Sequence, residues 1–166
     1  MNHETHTHVR RNGSFLKVEW SKVVVGDLVK VEQEEIFPAD LILMNSSIEG
    51  GVAFIETASL DGEKNLKPRN AYPQTIKAFE SPENDSGLNA IFGQWKGIVP
   101  DKELHKFSSS MSLRGETIVY EGDKQLLYRG AKLKNTKWIL GLVIYTGRNT
   151  KIMLNSESSS EKMSQI

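Results

Sequence analysis

Between residues 56 and 69 the sequence reads ETASLDGEKNLKPR, setting two carboxylates, Asp61 and Glu63, on either side of Gly62 and following them with Lys64, Lys67 and Arg69. Asp-Gly is a strong turn dipeptide and the apolar run VAFIETASL leads straight into it, so Glu63 is expected on or just past a tight turn. A glycine beside the carboxylate removes a side chain and lets the backbone come close to another surface. Such a turn can offer one carboxylate to a group outside the chain, with cations behind it able to meet phosphates or an acidic partner. The same residues also fit a solvated hairpin loop, and taken alone they favour it, because Asp-Gly turns with charged flanks are common.

Other familiar chemistries find no foothold. The chain holds no G-x-x-x-x-G-K-[ST] loop, no G-x-G-x-x-G after a strand, no H-E-x-x-H and no G-x-S-x-G elbow. It has no cysteine, which excludes a disulfide framework, a thiolate metal site and a cysteine nucleophile together. His3, His6 and His8 cluster near the amino end, but without a carboxylate or fourth ligand in a folded context they read as a solvated segment. His105 sits between Leu104 and Lys106 with no acid or nucleophile near it in sequence, and reads as surface or packing.

The elements that must carry the 56–69 stretch are short. Apolar runs of strand length, FLKVEW, LVKVEQ, ADLILMN, VAFIETA, TIVYE, QLLYRGAKL and WILGLVIYTG, are separated by Gly, Asp, Asn and Ser. None keeps a 3.6-residue apolar period for as long as a solid helix requires, which predicts a mainly β chain: sandwich, jelly roll or barrel. At 166 residues the chain has single-domain size. Lys plus Arg number 21 and Asp plus Glu 21, so the charge balance points to neither nucleic acid nor wholesale membrane adhesion. No stretch approaches the ~20 apolar residues needed to cross a bilayer, and MNHETHTHVRR lacks the apolar core of a signal peptide, which reads as a soluble piece. Residues 80–89 read as a surface loop and 155–161 as a solvated tether.

Across residues 9–166 the order of motifs resembles the actuator domain of a P-type ATPase, and within that superfamily the phospholipid-flippase branch. PADLI and YTG belong to the wider superfamily, whereas LDGEKNLKPR, RGAKLKNTKW and TKIMLNS mark the lipid branch. The resemblance implies a mainly β fold, a distorted jelly roll of double-stranded β-helix type with short helical or irregular connections. It further implies a juxtamembrane segment at 1–13, the actuator domain at 14–154 and a linker to the next membrane helix at 155–166. In such pumps ATP phosphorylates an aspartate in a separate domain, and the actuator rotates to hydrolyse that phosphoenzyme while pulling on the membrane helices. The implied partners are the phosphorylation and nucleotide-binding domains of the same chain, the flanking transmembrane helices and a phospholipid substrate, at the cytosolic face of a membrane; an accessory subunit is compatible with them. No cofactor is implied for this domain, while Mg2+ and ATP are implied for the full-length pump.

On this resemblance Glu63 is the catalytic residue, placing and deprotonating the water that attacks the acyl phosphate. Asp61 braces the loop by bonding backbone N–H groups, Gly62 gives the turn its room, and Asn65 helps to brace. Lys67 and Arg69 are candidates for docking. Lys64 departs from the family's usual threonine: it is free to pair with Glu63, to reach phosphoryl oxygens, or to point to solvent, and the last is the simplest reading. Two alternatives stay open, a β-sandwich module gripping phosphate or glycan with the same loop, and the actuator of a cation pump, whose branch usually carries T-G-E-S.

Overall fold

A computed structural model of the chain describes residues 6–11, 14–80, 95–97, 108–113, 115–147 and 150. His3, His105, the expected loop at 80–89 beyond Glu80 and the expected linker at 155–166 lie outside these residues. The fold is mainly β, as expected; among the described residues all strand pairs are antiparallel, and two short α-helices and a 3-10 turn at Trp20–Lys22 lie between strands.

The core is carried by two long apolar strands, β4 (Asp40–Ser46) and β12 (Trp138–Tyr145), which lie side by side. Every residue of β4 is buried, and so is every residue of β12 after Trp138, so both strands are covered on two faces. That burial explains why ADLILMN and WILGLVIY show unbroken apolar character instead of alternation. They belong to a six-stranded sheet in the order β10 (Leu126–Leu127), β4, β12, β3 (Leu28–Glu32), β1 (His6–Arg11) and β2 (Ser14–Glu19). Gly141, at a register shift between β12 and β4, allows the two strands to approach; a Cβ there would stand 2.8 Å from Leu41 Cδ1.

A second sheet places β5 (Val52–Glu56) between β11 (Lys132–Lys134) and β6 (Lys67–Asn70). β5 alternates half-buried and buried residues, as a strand with one covered face should. β6 was not visible in the sequence, since KPRN is basic and contains a proline; it is tolerated because β6 is an edge strand. A third sheet joins β7 (Trp95–Gly97), β8 (Ser108–Leu113) and β9 (Glu116–Glu121). β8, sequence SSSMSL, offers no strand signal beyond its pairing.

The remaining elements are a one-turn helix α1 (Ala58–Asp61) and a short α2 (Pro73–Ala78), which opens on proline at its first turn. Residues 6–11, within the segment expected to be juxtamembrane, form a full strand paired with β2 and β3. Among the described residues no helix is long and apolar enough to cross a membrane.

Candidate functional site

The 56–69 stretch connects β5 to β6, which pair from Val52↔Asn70 to Ile55↔Lys67. Glu63 falls just past a tight turn, as expected from Asp-Gly, and that turn is helical. The strand stops at Glu56, and the Thr57 carbonyl accepts N–H bonds from Leu60 (2.9 Å) and Asp61 (3.1 Å), winding α1. Gly62 then closes that turn at φ 74°, with its N–H on the Ala58 carbonyl at 2.9 Å. The glycine is thus a left-handed helix cap, a conformation that costs a side-chain-bearing residue more than it costs glycine.

Asp61 lies at the centre of the loop. Its carboxylate accepts the Thr57 hydroxyl (3.1 Å), the Glu63 N–H (3.0 Å) and the Lys67 ammonium (2.8 Å). Burial pushes this carboxyl up, but the Lys67, Glu63 N–H and Thr57 bonds together outweigh it and hold Asp61 below its ordinary 3.8. Burial likewise presses Lys67 down, and its bonds to Asp61 and Glu63 outweigh that, raising the ammonium above its ordinary 10.5.

The linkage signs follow. The depressed Asp61 contributes order above its unfolded value and loses it as pH falls through the folded one; the raised Lys67 contributes fully below 10.5 and loses it as pH rises through its folded value. The brace is therefore expected to persist through the whole neutral range. The Asp61 carboxyl carbon, followed by NMR, should titrate below 3.8 together with the Glu63 amide; a midpoint at or above that value would contradict the geometry.

Glu63 stands 60% exposed just beyond the cap, its carboxylate 2.7 Å from Lys67 Nζ. The lysine that pairs with Glu63 is therefore Lys67, and Lys64 is exposed with no ion pair among the described residues. Asn65, expected to help brace, is exposed and makes no side-chain hydrogen bond among the described residues; Thr57 does that work. Lys67 is committed to the brace.

Arg69 departs most from its expected docking role. Its side chain is 4% exposed, with Nε on the Leu126 carbonyl (2.9 Å), Nη1 on the Pro68 carbonyl (3.1 Å) and Nη2 3.8 Å from Asp123. The guanidinium also lies 5.7 Å from the Tyr128 ring centre. Strand alternation turns Arg69 inward, where it joins β6 to the 123–128 segment and cannot meet another domain.

One further side chain anchors the loop to the rest of the fold. Ser59 of α1 donates to the Gly130 carbonyl at 2.7 Å. The 128–131 turn is itself fixed, since the fully buried Asp40 accepts the Arg129 N–H at 2.9 Å and the Phe37 carbonyl accepts the Gly130 N–H at 3.1 Å. PADL, DGE and RGA, far apart in sequence, thus meet in one hydrogen-bonded assembly. A serine two residues before Asp61 gave no hint of Gly130; only the fold brings them together.

His6 and His8 lie on β1, and among the described residues no three His, Cys, Asp or Glu side chains gather to share a metal. The Asp61 and Glu63 carboxylates already share the Lys67 cation, so the donor set does not suit Mg2+.

Comparisons with known proteins agree with the β-rich fold. The family model described as the P-type ATPase actuator domain matches residues 2–153, and the chain belongs to that family. Its relatives include Probable phospholipid-transporting ATPase 7 of Arabidopsis thaliana, 40% identical over 158 residues that make up 95% of this chain and 12% of the relative. A phospholipid-transporting ATPase of Schizosaccharomyces pombe is 37% identical over 164 residues, 98% of this chain and 13% of the relative. The chain therefore spans only 12–13% of the length of these proteins. Among solved structures, a zinc-transporting PIB-type ATPase in the E2.Pi state shares the fold at TM-score 0.53 and 14% identity, over 95% of this chain and 16% of that one.

Proposed function

We propose that this chain is the cytosolic actuator domain of a phospholipid-translocating P-type ATPase, and that Glu63 activates the water that hydrolyses the aspartyl-phosphate intermediate. The observation that carries the reading is the contrast between two carboxylates two residues apart. Asp61 is filled by three donors and held as a weak base, while Glu63 is presented at the surface. A general base must reach a substrate outside its own domain, and the second, 60% exposed against 22% for Asp61, is the one placed to do so.

In the proposed step the water oxygen attacks phosphorus in line, Glu63 takes the water proton, and the bond between phosphorus and the aspartyl oxygen breaks. The aspartate leaves as a carboxylate and inorganic phosphate is formed. The close approach this requires suits Gly62, where a Cβ would project into open space beyond its own chain neighbours. The phosphorylation and nucleotide-binding domains, the membrane helices reached through residues 1–13 and 155–166, and the lipid substrate are the partners of this reading. An accessory subunit would act on the same whole pump. By itself the domain is expected to turn over nothing.

The test is phosphoenzyme decay in a full-length pump carrying this domain. Glu63→Gln should leave the phosphoenzyme accumulated, and decay at the ordinary rate would remove Glu63 from the chemistry. Lys64→Thr, which restores the family's usual residue at an exposed and unpaired position, should change the decay rate less than about threefold. A tenfold change, on the order expected of a catalytic contact, would bring Lys64 into the reaction.

A further inference from the structure

We propose that Lys67 is a positioning residue for Glu63, fixing the direction of its carboxylate before it meets the attacking water; this rests on the reading of Glu63 given above. The geometry is a closed ring. The Glu63 N–H donates to Asp61 Oδ1 (3.0 Å), the Lys67 ammonium reaches Asp61 Oδ2 (2.8 Å), and the same ammonium meets Glu63 Oε2 (2.7 Å). Backbone and side chain of Glu63 are thereby tied to the same two residues.

An isolated surface ion pair orders little, because two long side chains lose freedom to hold one geometry. This one differs in where its cation is seated. Lys67 is the first residue of β6, paired opposite Ile55 of β5, and its side chain is only 21% exposed. Asp61, the other post, is fixed at the end of α1 by the Thr57 hydroxyl. The only long, exposed member of the ring is Glu63, so the bond to Lys67 acts chiefly on Glu63. An ammonium carries three donors, and the two carboxylates can be served at once.

A glutamate side chain left alone samples many rotamers, and a base that must stand in line behind a water loses rate with each wrong one. Lys67 restricts those rotamers without touching the phosphate. A positioning role of this kind differs from the docking role expected of a basic residue beside the turn.

Phosphoenzyme decay in the full-length pump separates the cases. Lys67→Met is expected to slow decay about tenfold, Lys67→Arg to return it to within about threefold of the parent because guanidinium can also bridge two carboxylates, and Lys67→Gln to behave as methionine while keeping a polar side chain. In a Glu63→Gln background Lys67→Met should add no further loss. Additive losses, failure of arginine to rescue, or decay at the parent rate in both Lys67→Met and Lys67→Gln with Glu63→Gln slow, would each overturn the role of Lys67. Ordinary decay in Glu63→Gln would instead overturn the reading of Glu63 itself.

Discussion

Glu63→Gln is expected to slow hydrolysis of the phosphoenzyme by about a hundredfold to ten-thousandfold, the range that removal of a general base produces. Glutamine keeps the length and shape of the side chain and still hydrogen-bonds, but it cannot take a proton from water. Formation of the phosphoenzyme belongs to other domains and should proceed, so the acyl phosphate accumulates. The side chain is 60% exposed and, among the described residues, is held by a surface ion pair with Lys67, so unfolding should move by no more than about 2 °C. Slow decay in a protein of unchanged stability would separate lost chemistry from lost structure. Glu63→Asp retains a carboxylate but withdraws it by one methylene, and a misplacement of about 1 Å is itself enough to cost on the order of a hundredfold. Near-normal decay in Glu63→Asp would show that reach is unimportant and that the loop's geometry does not serve a base.

Arg69→Met should damage the fold instead. Removing the guanidinium strips a donor from the Leu126 carbonyl, takes a partner from the half-buried Asp123 and removes the cation beside Tyr128. Breaking a buried pair by deleting one partner costs about 3–5 kcal/mol, and the 3.8 Å separation from Asp123 argues for the low end, about 3 kcal/mol. For a chain of this size that lowers the melting temperature by about 6–12 °C. Arg69→Lys keeps the charge but loses the fork that serves Leu126, Pro68 and Asp123 together, and should recover only part of the loss. Thermal unfolding by circular dichroism checks both; a shift under 2 °C for Arg69→Met, less than about 1 kcal/mol, would mean that the buried contacts contribute nothing net.

What the sequence made legible followed from how each residue type is used. Strands covered on both faces, such as β4 and β12, declare themselves as unbroken apolar runs because every position must leave water. β6 and β8 did not, since an edge strand of KPRN and a serine-rich SSSMSL are held by backbone pairing that side-chain type barely reports. The Asp-Gly signal found the turn at the right place without showing that it closes a helix, because a left-handed glycine serves a hairpin turn and a helix cap alike. Lys67 and Arg69 looked interchangeable as basic residues two apart. Both lie on the same face of β6, as residues two apart on a strand must, and their place along it separates them: Lys67 opens the strand beside the loop, while Arg69 lies deeper, against Leu126 and Asp123.

The bonds from Ser59 to Gly130, and from Arg129 and Gly130 back to Asp40 and Phe37, also have a mechanical meaning. They tie the helical turn of the loop to the 128–131 turn and through it to β4, the fully buried strand of the core, so the loop is attached to the core at a second place besides β5 and β6. A rotation of the six-stranded sheet would carry the Glu63 loop with it through these bonds as well as through β5 and β6. In the proposed pump, the angle through which the domain turns would then set how far the carboxylate travels.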